Sequence, residues 1–84
     1  QGIGPNFMPD NFRKNMIDEI FHISKENAYE TSRMLAKSAG IAGGISSGGI
    51  AFAALEKAKT VENQNICFIV CDFCERYVSC DLFL

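Results

Sequence analysis

The chain of 84 residues is long enough for one small domain, is 48% hydrophobic and carries a formal net charge of −2. Acids and bases are interspersed, so the composition offers no basic patch for nucleic acid or for an anionic membrane. A domain of this size has a marginal core of its own. The high apolar content therefore favours a segment of a larger core, or one that packs against a partner, and the start at Gln1 also indicates a piece of a longer chain.

Residues 1–9 contain two glycines and two prolines and are expected to form a loop. Residues 11–16 are expected to form a short helical turn. Residues 17–23 contain three isoleucines and one phenylalanine, which predicts a strand.

Ser24 then has the character of an N-cap for a helix over residues 25–39, and Gly40 that of a helix stop. Apolar and small side chains recur in this helix at three- and four-residue spacing, which predicts one buried stripe. The stripe consists of Ala28, Thr31, Met34, Leu35 and Ala39.

Glycine and serine crowd residues 43–49, where a second helix must begin. We expect this helix to run from about Ser47 to Lys59, with Ser46 and Ser47 available to cap its first N–H groups and Ser47 the better cap. A helix start of this kind suits a hydroxyl donor or an anion ligand. The helix is apolar nearly all round as far as Leu55, which predicts deep burial.

Residues 66–71 form a continuous apolar run of strand length, the pattern of a strand that is covered on both faces of a parallel sheet. The order strand, helix, helix, strand predicts an α/β unit with crossover helices. All four cysteines (Cys67, Cys71, Cys74 and Cys80) lie in this last part of the chain. A disulfide framework is usually spread more widely, so we expect free thiols in a reducing, cytoplasmic-type compartment.

Three motifs occur in order along the chain: QGIGPNFMP at residues 1–9, GISSG at 44–48 and ERYVS at 75–79. Together, and at this spacing, they resemble the C-terminal part of cysteine synthase (O-acetylserine sulfhydrylase), a family of fold-type II enzymes that use pyridoxal phosphate. The resemblance covers essentially the whole chain. It implies an α/β fold in which residues 1–84, without an internal boundary, form part of a three-layer parallel-sheet domain.

The resemblance also implies a function for the complete protein, the formation of cysteine from O-acetylserine and sulfide by β-replacement on pyridoxal phosphate. Ser46, the first serine of GISSG, would donate a hydrogen bond to the pyridine nitrogen of the cofactor. Gly2 and Gly4 would belong to the substrate loop. The family's Schiff-base lysine and phosphate loop lie upstream of the matching region, so this chain alone would not hold the cofactor covalently.

The same resemblance implies the partners. The chain would pack against the remainder of its parent, the parent would form a homodimer, and its active-site cleft would accept the C-terminal tail of serine acetyltransferase. No metal ligand is implied.

Cys71 and Cys74 depart from the family pattern, which usually has a proline and a glycine at these positions. Two alternatives therefore stay open beside the enzyme. One is a non-catalytic relative that binds or regulates. The other is a small independent protein in which the Cys-x-x-Cys pair serves thiol chemistry or, with Cys67 and Cys80, binds zinc.

Overall fold

Two helices carry the regular structure of residues 10–73, the part of the chain that this computed structural model describes. Helix α1 spans Lys25–Ala39 and helix α2 spans Ile45–Ala58. A single turn of 3-10 helix over Lys14–Met16 precedes them, within the predicted helical turn. Expectations for residues 1–9 and 74–84 lie outside the described residues.

Helix α1 has the boundaries that the sequence predicts. The Ser24 hydroxyl accepts a hydrogen bond from the Asn27 N–H at 3.1 Å, so it caps the first turn. Gly40 ends the helix in the left-handed conformation, with φ of 67°. Its N–H donates to the Leu35 carbonyl, as does the N–H of Ile41. Both boundaries of α1 are therefore set by residues directly beside it in the sequence, Ser24 and Gly40.

The interface between α1 and α2 is built from small side chains. The buried residues of the two helices are Ala28, Thr31, Ser32 and Leu35 from α1, and Ser47, Gly48, Gly49 and Ala51 from α2. The predicted stripe is therefore confirmed at its centre, whereas Met34 and Ala39 are exposed. Small residues let the two backbones approach closely, which fixes the start of α2 against the middle of α1.

The expected deep burial of α2 is not met within the described residues. Leu55 is 45% exposed, and Phe52 is only half-buried. Helix α1 covers one side of α2, and part of the remaining apolar surface of α2 stays exposed within residues 10–73. The sequence pattern of α2 is that of a helix buried on more sides than α1 can cover.

Neither predicted strand forms in the described part of the chain. Residues 17–23 and 66–71 carry no strand assignment, and the β pairing described is an isolated antiparallel bridge between Gly43 and Phe73. A strand needs a neighbouring strand for its ladder of hydrogen bonds, and residues 10–73 do not supply one for either segment. Large apolar side chains in both segments are therefore exposed to solvent: Ile20 is 67% exposed and Ile69 is 71% exposed.

An exposed ion pair joins the first extended segment to the end of α2. Lys57 Nζ lies 2.9 Å from Glu19 Oε1, and both side chains are about half exposed. Exposed pairs of this kind contribute little to stability.

Neither helix of residues 10–73 is long and apolar enough to cross a membrane.

Candidate functional site

The glycine–serine stretch forms the first turn of α2, but the helix begins earlier than predicted. Gly44 is the N-cap, in extended conformation, and Ile45 is the first helical residue. Ser46 and Ser47 are therefore the second and third residues of the helix. The prediction that Ser47 caps the helix is wrong, because its N–H is itself one of the donors that need an acceptor.

The acceptor comes from Asp72, 25 residues further along the chain than Ser47. Its carboxylate Oδ1 accepts hydrogen bonds from the N–H groups of Gly44 at 3.0 Å and of Ser47 at 3.1 Å. Its Oδ2 accepts from the N–H of Ser46 at 3.2 Å. Asp72 thus performs the part that an N-cap side chain usually plays, and Gly44 has no side chain with which to do it.

The Ser47 hydroxyl is committed to the same structure. It is fully buried and donates to Asp72 Oδ1, and it also accepts from the Asp72 N–H at 3.3 Å. Ser47 therefore holds the segment around Asp72 against the start of α2, which leaves it no role towards a ligand.

Ser46 is placed differently. Its N–H is held by Asp72, its side chain is half-buried, and its hydroxyl makes no hydrogen bond within residues 10–73. The structure thus presents one hydroxyl, on a fixed turn, that keeps its capacity to donate. A neutral hydroxyl donor in this setting is compatible with the cofactor contact that the resemblance implies for Ser46, which stays a prediction.

Two further contacts anchor the turn on α1. The buried Ser32 hydroxyl donates to the Gly43 carbonyl at 3.0 Å. Gly48 packs so closely on α1 that an added Cβ would lie 2.2 Å from the Ala28 carbonyl oxygen and 2.8 Å from Ser32 Cβ. The position of Ser46 is therefore determined on one side by α1 and on the other by Asp72.

The other predicted site residues are not among those described at this turn. Gly2 and Gly4 of the predicted substrate loop, together with Cys74 and Cys80, lie outside the described residues. Cys67 and Cys71 are exposed free thiols. Within residues 10–73, no three His, Cys, Asp or Glu side chains are grouped so that they could hold a metal ion.

Asp72 is the residue that sequence reasoning missed. It is an acid directly after the apolar run of residues 66–71, a position where a strand ends and a polar side chain can turn towards a neighbouring element. That position was the available signal, but no local rule connects it with a helix start so far away in the sequence.

Comparison with known proteins decides the relationship. No family model matches the chain. Cysteine synthase B of Campylobacter jejuni is 47% identical over 83 residues, which cover 99% of this chain and 27% of that protein. A probable cysteine synthase of Bacillus subtilis is 44% identical over 84 residues, covering 96% of this chain and 26% of that protein.

This chain is a homologue of one segment of the cysteine synthases. The crystal structure of cysteine synthase (OASS) from Entamoeba histolytica agrees, with a TM-score of 0.93 and 40% identity over 99% of this chain and 25% of that one. The resemblance carried by the three motifs is confirmed. The chain spans about a quarter of the length of these cysteine synthases.

Proposed function

We propose that this chain is the C-terminal part of a cysteine synthase-like enzyme, which makes cysteine from O-acetylserine and sulfide with pyridoxal phosphate. The observation that carries the proposal is the half-buried Ser46, which keeps a donor hydroxyl on a turn fixed by Asp72 and by α1. The cysteine synthase relatives support this function over the non-catalytic and the thiol or zinc alternatives.

Ser46 would hold the pyridine nitrogen of the cofactor. When bound, pyridoxal phosphate supplies an electron sink for loss of the substrate's α-proton and of its β-substituent. A neutral hydroxyl leaves the pyridine nitrogen largely unprotonated, whereas an aspartate partner would keep it positive. The contribution of Ser46 is thus to orient the ring and to moderate its electron demand, which favours elimination over transamination.

The remaining parts of the proposal concern the surroundings of the segment. Residues 1–84 would form one continuous piece of a three-layer domain, in which residues 17–23 and 66–71 become strands of a parallel sheet beside strands from the rest of the parent. Those strands and further helices would cover the open side of α2. Gly2 and Gly4 would line the substrate loop of the same cleft.

We also propose the assembly that the resemblance implies, a homodimer whose active-site cleft accepts the C-terminal tail of serine acetyltransferase. The free thiols of Cys67 and Cys71 are compatible with a reducing, cytoplasmic compartment.

The test uses the longer protein, loaded with pyridoxal phosphate. Ser46→Ala should still take up the cofactor, but should change its absorbance and fluorescence and lower the rate of cysteine formation, because the pyridine nitrogen loses its donor. The matched control is Ser38→Ala, the same chemical change at an exposed position of α1. Full activity and an unaltered cofactor spectrum in Ser46→Ala would refute the assignment.

A further inference from the structure

We propose that Asp72 is a positioning residue for Ser46: its carboxylate fixes the first turn of α2 and thereby the direction in which the Ser46 hydroxyl is presented. The inference rests on the proposed role of Ser46 and concerns how the protein holds that residue in place.

The contacts around the carboxylate constrain its orientation. Oδ1 is shared by the N–H groups of Gly44 and Ser47, while Oδ2 is bound by the N–H of Ser46. Rotation of the carboxylate would break at least one of these bonds. Hydrogen bonds to an ionised acceptor are stronger than those between neutral groups. The backbone of Ser46 is therefore tied directly to the side chain of Asp72.

Asp72 also satisfies the electrostatics of the helix end. The first N–H groups of α2 give this end a partial positive charge, which a carboxylate stabilises. The sequence suggested that the helix start could serve an anion ligand. The Asp72 carboxylate occupies that position in the structure. The group of this turn that stays available to a ligand is then the Ser46 hydroxyl.

The main chain around Asp72 reinforces the link. The Gly44 N–H donates to the Asp72 carbonyl at 3.2 Å as well as to its carboxylate, and Gly43 pairs with Phe73 in the isolated bridge. The segment that follows the predicted strand 66–71 is thus attached to the turn by both main-chain and side-chain bonds. A shift of this segment would move the turn that carries Ser46.

The experiment is a double-mutant cycle in the longer protein, with the variants Asp72→Ala, Ser46→Ala and the two combined. Asp72→Asn is added because it keeps one acceptor oxygen and nearly the same shape, in case Asp72→Ala fails to fold. Asp18→Asn is the matched control, the same chemical change at an exposed carboxylate. Each variant is measured by amide hydrogen exchange over residues 43–49 without cofactor, and by the absorbance and fluorescence of bound pyridoxal phosphate.

We expect Asp72→Ala to raise exchange at Ser46 and Ser47 by at least about tenfold, because their N–H groups lose a hydrogen bond to a charged acceptor. The effect at Gly44 should be smaller, because its N–H also donates to the main-chain carbonyl of residue 72. Asp72→Asn should be intermediate, and Asp18→Asn should have no effect. Asp72→Ala should also change the cofactor spectrum when Ser46 is present, and should have little further effect on it in the Ser46→Ala background, because the two residues act through one contact.

Two results would overturn the inference. Unchanged exchange over residues 43–49 in Asp72→Ala would show that the carboxylate does not hold the turn. An equal spectral effect of Asp72→Ala with and without Ser46 would show that Asp72 acts by another route, while the role of Ser46 would stand. A Ser46→Ala variant with an unaltered spectrum would instead refute the proposed function itself, and the positioning role with it.

Discussion

Gly48 of α2 lies close against the backbone of α1, and the substitution Gly48→Ala tests whether that close approach sets the geometry of the site. The added Cβ would lie 2.2 Å from the Ala28 carbonyl oxygen, whereas ordinary van der Waals contact begins at 3.4 Å. The helices must separate to relieve this overlap, because a backbone carbonyl cannot turn away as a flexible side chain can.

Two effects of opposite sign determine the magnitude. Replacing glycine by alanine inside a helix gains about 1 kcal/mol of helix propensity. Overpacking of a close interface costs about 1–3 kcal/mol, and a contact with backbone atoms belongs at the upper end of that range. We therefore expect a net loss of about 1–2 kcal/mol from the stability of the α1–α2 pair.

The assay is amide hydrogen exchange of peptides covering α1 and α2 in the longer protein, together with its thermal unfolding midpoint. Exchange should increase in both helices, and the midpoint should fall. The exposed Ser38→Ala on α1 adds helix propensity without a buried contact and should leave both readouts unchanged or slightly improved. Slower exchange or a higher midpoint in Gly48→Ala would refute the close-contact argument.

Three further predictions concern a backbone conformation, a buried hydrogen bond and the exposed apolar surface. Gly40→Ala should lower stability by roughly 1 kcal/mol through its positive φ alone, since nothing lies within 4 Å of an added Cβ. Gly40→Asn should lose less stability, and equal unfolding midpoints for wild type and Gly40→Ala would contradict this prediction. Ser32→Ala should cost about 1–3 kcal/mol by leaving the buried Gly43 carbonyl unpaired, measurable as faster exchange over residues 43–49, and a wild-type exchange rate would contradict it. The isolated 84-residue chain should associate through exposed apolar residues such as Leu55 and Ile69. A monomer by light scattering, together with one sharp transition in a thermal melt, would contradict that expectation.

Local signals account for what the sequence predicted well. Ser24 and Gly40 mark the ends of α1 because a cap and a left-handed stop act within a few residues of the helix they bound. The spacing of Ala28, Thr31 and Leu35 likewise identified the face of α1 that packs on α2. Ser46 was identified as the candidate cofactor contact through the family resemblance, and the structure places it at the start of α2.

What the sequence did not predict depends on groups far away in the chain. The sequence predicts the start of α2 two residues too late. A serine usually supplies the capping acceptor of a helix, but here Asp72 supplies it from a distant part of the chain. The two predicted strands need partner strands that residues 10–73 do not contain, so an apolar run alone does not form a ladder.

The central claim is that Ser46 binds the pyridine nitrogen of pyridoxal phosphate in a cysteine synthase-like enzyme. A crystal structure of the longer protein with the cofactor bound measures this most directly. The account predicts that the Ser46 hydroxyl oxygen lies about 2.7–3.2 Å from that nitrogen, with Asp72 still bound to the N–H of Ser46. A pyridine nitrogen held by another side chain, with the Ser46 hydroxyl out of hydrogen-bond range, would contradict it.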